Sequence, residues 1–491
     1  MNDTRIEDGR DGAVGGWRTL LAGPFWPMVA IVVFVFASAA MRPLLPPDET
    51  RYLSVAWEMM VRGNFIVPTL NFDLYAEKPP LLFWLIDLSW SLFGVSRWSA
   101  LVPIAGISAL VIFLTDRLSR RLFADRPMLC RRVGWLMAGN IAFVVYAGLI
   151  LFDLLTTALV LAATLALIDT RLSTRAGAIL AGLALGLGLL AKGPVAILYA
   201  LLAAISAALF LRTERGLSSR RLASRVLLAL GLSLLIISCW LVPLAIATNG
   251  ELLQRLVWDQ AAGRVTGTIE ASHARPFWFY LVLLPVAALP WLLTIPFWQA
   301  HPLFRRQTWR RFRAALASER SLRFLVFWIV AAVLIFSLIT GKQPHYLLPV
   351  LPAAVILTAR AFETVVLGPI RGLTLVILAV TVAGQAAFSP LLSRYDIQPL
   401  AAFVADLGED VPMAIVGSHH GELNFLARRT TPFAEIDPGE ASRWLAEHPD
   451  GGLVLIGSPP LDVKAEIVFE QPYRGSRKMI VMRSAGAGDR R

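Results

Sequence analysis

Long apolar runs alternate with short charged connections between residues 20 and 392. Each run has about 15 to 23 residues, close to what a helix needs to cross a hydrocarbon layer of about 30 Å. The pattern predicts an all-α polytopic membrane domain over 20–392, with about eleven crossings. The run from residue 346 contains Pro349 and Pro352, which favours a kinked or broken helix beside a cavity. The predicted crossings are Leu20–Met41, Trp98–Thr115, Val133–Phe152, Leu154–Ile168, Ala176–Ala191, Pro194–Leu211, Val226–Thr248, Phe277–Trp298, Phe324–Thr340, Tyr346–Ala359 and Leu373–Leu392.

The placement of arginine predicts how the chain is oriented, because the cytoplasmic loops of membrane proteins carry most of their basic residues. Four arginine-rich connections alternate as they should if all four face the cytoplasm: 117–132, 171–175, 212–225 and 305–313. The alternation requires that Leu81–Phe93, a short run interrupted by Asp87, lies along the membrane surface without crossing it. Residues 1–19 then form a cytoplasmic segment, and the loops 42–97 and 249–276 lie outside with their juxtamembrane helices.

The C-terminal residues 393–491 have a different pattern, in which short β-like runs alternate with helical stretches. The runs Met413–Val416, Leu453–Ile456 and Lys478–Met482, with the helical stretch Gly439–Glu447, predict a small soluble α/β domain on the periplasmic side. The loop after the first of these strands contains His419 and His420, which we interpret as surface groups.

Composition agrees with a membrane protein, since apolar residues make up 56% of the 491 residues and charged residues 16%. The net charge of +12 arises from arginines beside apolar runs, without the soluble aromatic and basic face that binds nucleic acid. We therefore predict no nucleic-acid partner. The only cysteines, Cys130 and Cys239, make a disulfide framework untenable.

The first outside segment is densely charged, with Asp48, Glu49, Arg51, Glu77 and Lys78 placed between two membrane-apposed stretches. The stretch that follows Asp48 has helical periodicity and predicts an amphipathic helix on the membrane surface. Asp48 then lies near the N-terminus of this helix, where a carboxylate is favoured. Two interpretations stay open: a helix cap with a solvated ion pair, or a catalytic group.

Further charged residues interrupt the apolar runs on the same outside face. Asp153 stands alone between two runs, and an isolated acid at a membrane boundary is a candidate functional residue. Lys192 and Lys342 separate later pairs of runs, and cations beside acids at one membrane surface suit a bound phosphate. His273 precedes the aromatic run PFWFY; it could be a metal ligand, an acid or base, or an interfacial polar residue.

Seven stretches in order along residues 40–355 resemble one family of GT-C glycosyltransferases, which contains the lipid A aminoarabinose transferase and the protein O-mannosyltransferases. They are DETRY, NFIVPTLN, YAEKPPL, LFDLLTT, AKGPV, HARPFWFY and PHYLLPVLP. The resemblance implies a polyprenyl-phosphate-linked sugar donor and a lipid A, other glycolipid, polysaccharide or protein acceptor. It also implies a bacterial inner-membrane location, with the active site facing the periplasm.

The resemblance also assigns roles to individual residues. Asp48 matches the catalytic carboxylate, with Asp153 a second acid nearby. Glu77 and His273 match positions that hold a divalent metal, which leaves zinc, magnesium or manganese open. Arg264 is the alternative to Arg275 for the phosphate site. The residues that match the carrier-phosphate site are Arg51, Lys78, Arg275 and Lys342, and those of the carrier cavity are Tyr52, Tyr75, Lys192, His345 and Tyr346.

The electrostatics of the reaction agree with these roles, because a polyprenyl phosphate leaves as an anion that lysine and arginine can stabilise. With a hydroxyl acceptor, Asp48 could act as general base in one inverting displacement; a phosphate acceptor would need no base. The rival hypothesis is a transporter or lipid flippase, which should place its charges at the membrane midplane on broken helices. The charges of this chain cluster at one surface instead.

Overall fold

The computed structural model describes residues 24–211, 217–256, 275–294, 306–457 and 463–484. Most of this part of the chain is helical. The helices are α1 (Phe25–Ala40), α2 (Asp48–Arg62), α3 (Leu81–Phe93), α4 (Arg97–Leu122), α5 (Pro127–Ala138), α6 (Ile141–Ala147), α7 (Phe152–Ile168), α8 (Thr174–Lys192), α9 (Val195–Phe210), α10 (Ser219–Ala247), α11 (Glu251–Gln254), α12 (Phe279–Ala287), α13 (Arg306–Ser318), α14 (Arg320–Leu338), α15 (Leu351–Ala361), α16 (Leu367–Ala387), α17 (Ser389–Leu392), α18 (Gln398–Asp406) and α19 (Ala441–Glu447), with 3-10 helices at Pro344–Val350, Ser393–Tyr395 and Pro438–Glu440.

Several of these helices have the length and hydropathy of membrane spans. Within the described ranges, five qualify alone (α4, α8, α10, α14 and α16), and the bent pair of α5 and α6 makes a sixth. The apolar helices α1, α3, α7 and α9 are shorter. The chain is thus a multi-pass membrane protein, while the count of about eleven crossings stays a prediction.

The predicted crossing Val133–Phe152 is not one continuous helix. The helix breaks after Ala138 and turns by 55° into α6. Asn140 caps α6, since its side chain accepts a hydrogen bond from the backbone of Phe143 (3.1 Å) and donates to the carbonyl of Ala287 (2.8 Å). A Cβ on Gly139 would lie 2.6 Å from the hydroxyl of Thr374, so the chain needs glycine there.

The predicted irregularity in the run from residue 346 is confirmed. The chain enters this run as the 3-10 helix Pro344–Val350 and continues as α15. Pro352 stands in the first turn of α15, where a missing backbone N–H costs nothing. The loop 257–274 and the end of the predicted crossing Phe277–Trp298 lie outside the described residues.

Glycines bring the helices of the membrane domain close together. A Cβ added to Gly177, Gly182 or Gly186 of α8 would lie within 3 Å of side chains of α10. Small residues at such positions let helix backbones approach, which raises van der Waals packing between spans. This packing fixes the end of α8, where Lys192 lies.

Helix α2 begins at Asp48, as predicted, but its surroundings differ from the expected membrane surface. Most of its residues are buried, on more than one face. Its Trp57 indole donates to the carbonyl of Arg429 (2.9 Å), and the Ser54 hydroxyl donates to the carbonyl of Gly421 (2.6 Å). Helix α2 is therefore clamped between the helical part and the C-terminal part of the chain.

The C-terminal part contains five strands: β3 (Met413–Val416), β4 (Ala434–Ile436), β5 (Gly452–Ile456), β6 (Ala465–Tyr473) and β7 (Arg477–Ser484). They form one sheet in the order β4-β3-β5-β7-β6. Strand β3 pairs in parallel with β4 and β5, and β7 pairs antiparallel with β5 and β6. The three predicted runs are confirmed as strands β3, β5 and β7. Two short strands nearer the N-terminus, β1 (Thr69–Leu70) and β2 (Asp73–Leu74), pair antiparallel with each other.

Candidate active site

The first turn of α2 presents a cation that is shared between two acids. Asp48 and Arg51, three residues apart, form an ion pair. The Nη1 atom of Arg51 lies 3.0 Å from Oε2 of Glu77. Arg51 is largely buried, whereas the Asp48 side chain is 52% exposed. The Asp48 carboxylate is thus accessible to a ligand although it is held by Arg51.

The interpretation of Asp48 as a helix cap is wrong. Pro47 occupies the cap position, and α2 has no side-chain cap hydrogen bond. The Asp48 carboxylate contacts Arg51 on the next turn instead. Asp48 therefore stabilises the charged cluster. It stabilises α2 only through the helix dipole.

Glu77 and Lys78 reach this cluster on the extended chain between β2 and α3. The Tyr75 hydroxyl lies 3.5 Å from Oε2 of Glu77, and Nζ of Lys78 lies 3.4 Å from the carbonyl of Glu77. Tyr75 is buried, and its pKa is raised by desolvation and then by the charge of neighbouring groups. The Tyr75 phenol therefore stays protonated and remains a hydrogen-bond donor.

A buried carboxylate missed by the sequence analysis holds this segment in place. Glu58 of α2 accepts hydrogen bonds from Thr69 Oγ1 (2.8 Å) and from the backbone N–H groups of Asn71 (2.7 Å) and Phe72 (2.8 Å). Asn71 and Phe72 have φ values of 53° and 66°, a strained conformation for non-glycine residues. Burial raises the pKa of Glu58. Glu58 thus fixes the hairpin that leads to Tyr75 and Glu77.

The second charged group joins the start of α7, the end of α8 and the 3-10 helix that precedes α15. Asp153 forms an ion pair with Lys192, and Nε2 of His345 lies 3.8 Å from Oδ1 of Asp153. The ammonium of Lys192 lies 5.5 Å from the ring centroid of Tyr346. Asp153 lies in the first turn of α7 and is buried, so Lys192 rather than solvent balances its charge.

Aromatic contacts bring the two charged groups together. The ring of Tyr52 packs edge-on against Phe152, 5.0 Å between centroids, one residue before Asp153. Burial raises the pKa of the Tyr52 phenol, and the negative charges of Asp48 and Asp153 both raise it further. Lys78 interacts electrostatically with Asp153. The structure thus gathers most of the predicted site residues: Asp48, Arg51, Tyr52, Tyr75, Glu77, Lys78, Asp153, Lys192, His345 and Tyr346.

Two predicted phosphate ligands, Lys342 and Arg275, contact each other. Nζ of Lys342 donates to the carbonyl of Arg275 at 2.9 Å, and the Arg275 guanidinium lies 4.6 Å from the ring centroid of Phe279. Neither cation forms an ion pair with a cluster carboxylate within the part of the chain that the structure describes. Their assignment to the carrier phosphate stays a prediction. His273 and Arg264 fall outside the described residues.

The described ranges contain no group of three or more histidine, cysteine or acidic side chains that could hold a metal ion. Glu77, the predicted ligand, has its carboxylate engaged by Arg51 and close to the Tyr75 hydroxyl. The other predicted ligand, His273, lies outside the described residues, so the divalent metal stays a prediction.

An apolar groove of about 160 Å³ lies beside the second charged group. It runs between α6, α12 and the chain from Pro344 into α15, and Tyr146 forms part of its wall. The ring of Tyr146 also packs edge-on against His345, with 6.3 Å between ring centroids. A chain of hydrocarbon in this groove would therefore end close to His345 and Asp153. The arrangement suits an amphiphile with an anionic head.

The expectation of surface histidines in the loop after β3 is wrong for His419. Its side chain is buried, with Nε2 2.6 Å from Oδ1 of Asn424 and Nδ1 3.4 Å from Glu422. The Asn424 amide donates to Glu58 at 3.1 Å. His419 therefore supports the Glu58 network from the C-terminal side.

The sequence analysis also missed a buried ion pair at the start of α2. Arg42 donates to both carboxylate oxygens of Glu49, at 2.5 and 3.0 Å, and also to the carbonyl of Gly148 (2.8 Å). The backbone N–H of Ile150 donates to Glu49 at 3.0 Å. The pair thus ties the start of α2 to the segment that leads into Asp153.

Comparison with known proteins gives a consistent result. The family model of dolichyl-phosphate-mannose-protein mannosyltransferase matches residues 77–242. Two curated relatives from Pseudomonas aeruginosa are 30% and 31% identical, over 77% of this chain and 67% of each relative. Both are named undecaprenyl phosphate-alpha-4-amino-4-deoxy-L-arabinose arabinosyl transferase.

Among solved structures, the chain is similar to ArnT from Cupriavidus metallidurans. The crystal structure of ArnT bound to undecaprenyl phosphate superposes with a TM-score of 0.74 and 20% identity. The match covers 96% of this chain and 99% of that chain. The apo structure of ArnT gives a TM-score of 0.72. The architecture described above is therefore the ArnT fold.

Proposed function

Because the chain belongs to the GT-C glycosyltransferase family of the undecaprenyl phosphate-aminoarabinose arabinosyl transferases, we propose that it transfers 4-amino-4-deoxy-L-arabinose from undecaprenyl phosphate to lipid A. The reaction takes place at the periplasmic face of the bacterial inner membrane. The donor is the one in the relatives' names, and lipid A is one of the acceptors that the resemblance implies, beside another glycolipid, a polysaccharide or a protein.

The observation that carries this proposal is the convergence of two charged groups beside an apolar groove. Asp48, Arg51 and Glu77 form one group, and Asp153 with Lys192 forms the other. The groove ends near His345. A carrier lipid needs a place for its hydrocarbon and cations for its phosphate, and this arrangement offers both.

In the proposed reaction an acceptor oxygen attacks the anomeric carbon of the sugar as the bond from that carbon to the carrier phosphate breaks. The bonding electrons leave with the phosphate, whose charge therefore rises in the transition state. Arg51, Lys78 and Lys192 stabilise this charge, and attack from the opposite face inverts the anomeric carbon. The protonated phenols of Tyr52 and Tyr75 supply further donors.

The role of Asp48 depends on the acceptor. A hydroxyl acceptor must lose a proton, which the exposed carboxylate of Asp48 can take as general base. An ionised phosphate of lipid A has no proton to lose, and Asp48 then holds the Arg51 guanidinium towards the carrier. Glu77 and His273 remain the residues predicted to hold a divalent metal.

The periplasmic location rests on the same argument as the topology. The acidic and basic cluster lies at the ends of apolar helices opposite the arginine-rich connections, and such connections face the cytoplasm. A site on that side meets a carrier lipid and an acceptor lipid in the outer leaflet. A transporter would place its charges at mid-helix, on broken spans.

The experiment uses membranes that contain the protein, labelled undecaprenyl-phosphate aminoarabinose and purified lipid A. We expect label on lipid A, and none in membranes from the same strain without the protein. A parallel incubation uses a mannose-labelled polyprenyl phosphate with protein and polysaccharide acceptors. Label that appears only in that second incubation would contradict the proposed substrates, and no transfer from either donor would contradict the proposed function.

A further inference from the structure

A polar cleft lies between the helical part and the C-terminal part of the chain. This cleft of about 620 Å³ is bounded by the residues after α1, the start of α4, the end of α16 and the turn before Arg429. Arg42, Arg97 and Arg428 line it, and Asp396 supplies the only carboxylate among its described lining residues. We name it the arginine cleft. None of the residues of the two charged groups lines it, although Arg42, which pairs with Glu49 behind them, does.

Arg97 and Arg428 form no ion pair with the acids that the structure describes, and Glu49 and Asp396 act on Arg97 only at longer range. Arg97 donates to the carbonyl of Arg42 (2.8 Å), and Arg428 donates to the carbonyls of Phe425 (2.9 Å) and Val95 (3.4 Å). Neither guanidinium has a carboxylate within 4.0 Å among the residues that the structure describes. The buried Nε atom of Arg97 has no hydrogen-bond partner there either. Oriented donors of this kind, facing a cleft, suit an anion.

The backbone at Arg428 is strained in a way that favours a role for its side chain. Its φ is 56°, in the left-handed region at the end of a helical turn, where glycine is the usual residue. An arginine at such a position costs conformational free energy. Its guanidinium lies 4.0 Å from the ring centroid of Phe425, which holds the cation at the cleft.

The cleft lies at the level where apolar helices end. Helix α1 ends at Ala40, α4 begins at Arg97 and α16 ends at Ala387, and residues at all three ends line the cleft. Trp98, at the rim, is 48% exposed, as is typical of residues at a membrane–water interface. Helices α1 and α16 leave large apolar side chains exposed along their lengths, namely Val29, Val33, Leu375, Val376 and Val380.

These features together describe a place for an amphiphile with an anionic head. The exposed faces of α1 and α16 offer room for acyl chains, and the cleft at their ends offers arginines for a headgroup. We propose that the arginine cleft binds the phosphate group of an anionic membrane lipid, at a site separate from the catalytic cluster. The buried pair of Arg42 and Glu49 lies between the two sites, since Arg42 lines the cleft while Glu49 belongs to α2.

The test measures lipid binding without turnover, so its result does not depend on the transferase reaction. The full-length protein in detergent is titrated with phosphatidylglycerol or with phosphatidylcholine, and bound lipid is counted by native mass spectrometry. We expect one site that prefers phosphatidylglycerol. The double variant, Arg97→Gln with Arg428→Asn, replaces both cations. It should bind phosphatidylglycerol about fivefold more weakly for each arginine replaced, the effect typical of basic residues at an anionic surface. Asparagine is chosen at 428 because it tolerates the left-handed conformation.

Two further variants keep the test decisive if the double variant is poorly folded. Asp396→Asn preserves the hydrogen bond from the backbone of Gln398 (2.9 Å) and removes the acid from the cleft, so phosphatidylglycerol should bind more tightly. Arg62→Gln, an exposed arginine outside the cleft, should bind as the unaltered protein does.

Several outcomes would overturn the proposal. They are an unchanged phosphatidylglycerol preference in a folded double variant, weaker binding in Asp396→Asn, and an equal loss in Arg62→Gln. Inorganic phosphate forms the last arm of the experiment. Full displacement of phosphatidylglycerol by millimolar phosphate would show that the cleft takes the free anion and would contradict a lipid site; retention of the lipid supports it.

Discussion

Glu49 offers the sharpest test of how the fold supports the site, because its carboxylate is 2% exposed and accepts four hydrogen bonds. Two come from Arg42, and the others from the backbone of Leu45 (2.9 Å) and Ile150 (3.0 Å). Glu49→Gln keeps the size of the side chain but leaves the Arg42 guanidinium, 4% exposed, without a counter-charge. Breaking such a buried pair costs about 3 to 5 kcal/mol. Because Ile150 lies shortly before Asp153, turnover should fall as well.

The assay is equilibrium unfolding of the purified protein in mixed micelles of increasing denaturing-detergent content. The matched control is Glu447→Gln, which alters a largely exposed carboxylate and should change the free energy of unfolding by less than about 1 kcal/mol. The double replacement Arg42→Met with Glu49→Leu should recover part of the loss, since it leaves no unpaired charge. A Glu49→Gln protein as stable as the control would show that the buried pair with Arg42 does not stabilise the fold.

Two other predictions concern the phosphate site and the topology. Arg51→Ala and Lys78→Ala should each weaken binding of the carrier lipid by about tenfold, the value of one charge-assisted hydrogen bond. Arg51→Lys should also weaken this binding if the contact is bidentate. Unchanged carrier binding in both alanine variants would remove these residues from the site. In intact cells, a cysteine at the exposed positions Asp73 or Asp437 should react with an impermeant thiol reagent, whereas one at the exposed position Ser219 should be shielded. Labelling at Ser219 would overturn the orientation.

Part of the fold follows from local pattern. Helix α3 spans Leu81–Phe93, the bounds predicted from the apolar run, because Pro80 and Gly94 mark its two ends. Strand β3 likewise spans the predicted Met413–Val416. Strand β6 was missed, since it carries charged residues on its exposed face and lies at the edge of the sheet. The break at Gly139 was missed because the apolar run continues across it.

The candidate site divides in the same way. Asp48, Arg51 and Asp153 stand out as charges beside apolar runs, and the resemblance in motif order marks them. The partners of Glu58 do not stand out, because Asn424 and the hairpin residues are brought to it only by folding. A buried carboxylate on an amphipathic helix looks like any solvated glutamate until its surroundings are known. Long-range contacts of this kind are therefore the part that sequence alone could not supply.

In the proposed reaction, Asp48 is the catalytic carboxylate of a sugar transfer from a polyprenyl phosphate. Asp48→Asn tests it, because the side chain is half exposed and serves as no helix cap, so the variant should fold and bind carrier lipid. The measurement is the turnover of purified protein with labelled donor and acceptor, beside Glu447→Gln as control. With a hydroxyl acceptor, we expect transfer to slow by about 10² to 10⁴ fold, as loss of a general base causes. With a phosphate acceptor, transfer should still slow, because the variant loses the charge that holds Arg51. Normal turnover by a folded Asp48→Asn protein would contradict it and would make Asp153 the leading candidate.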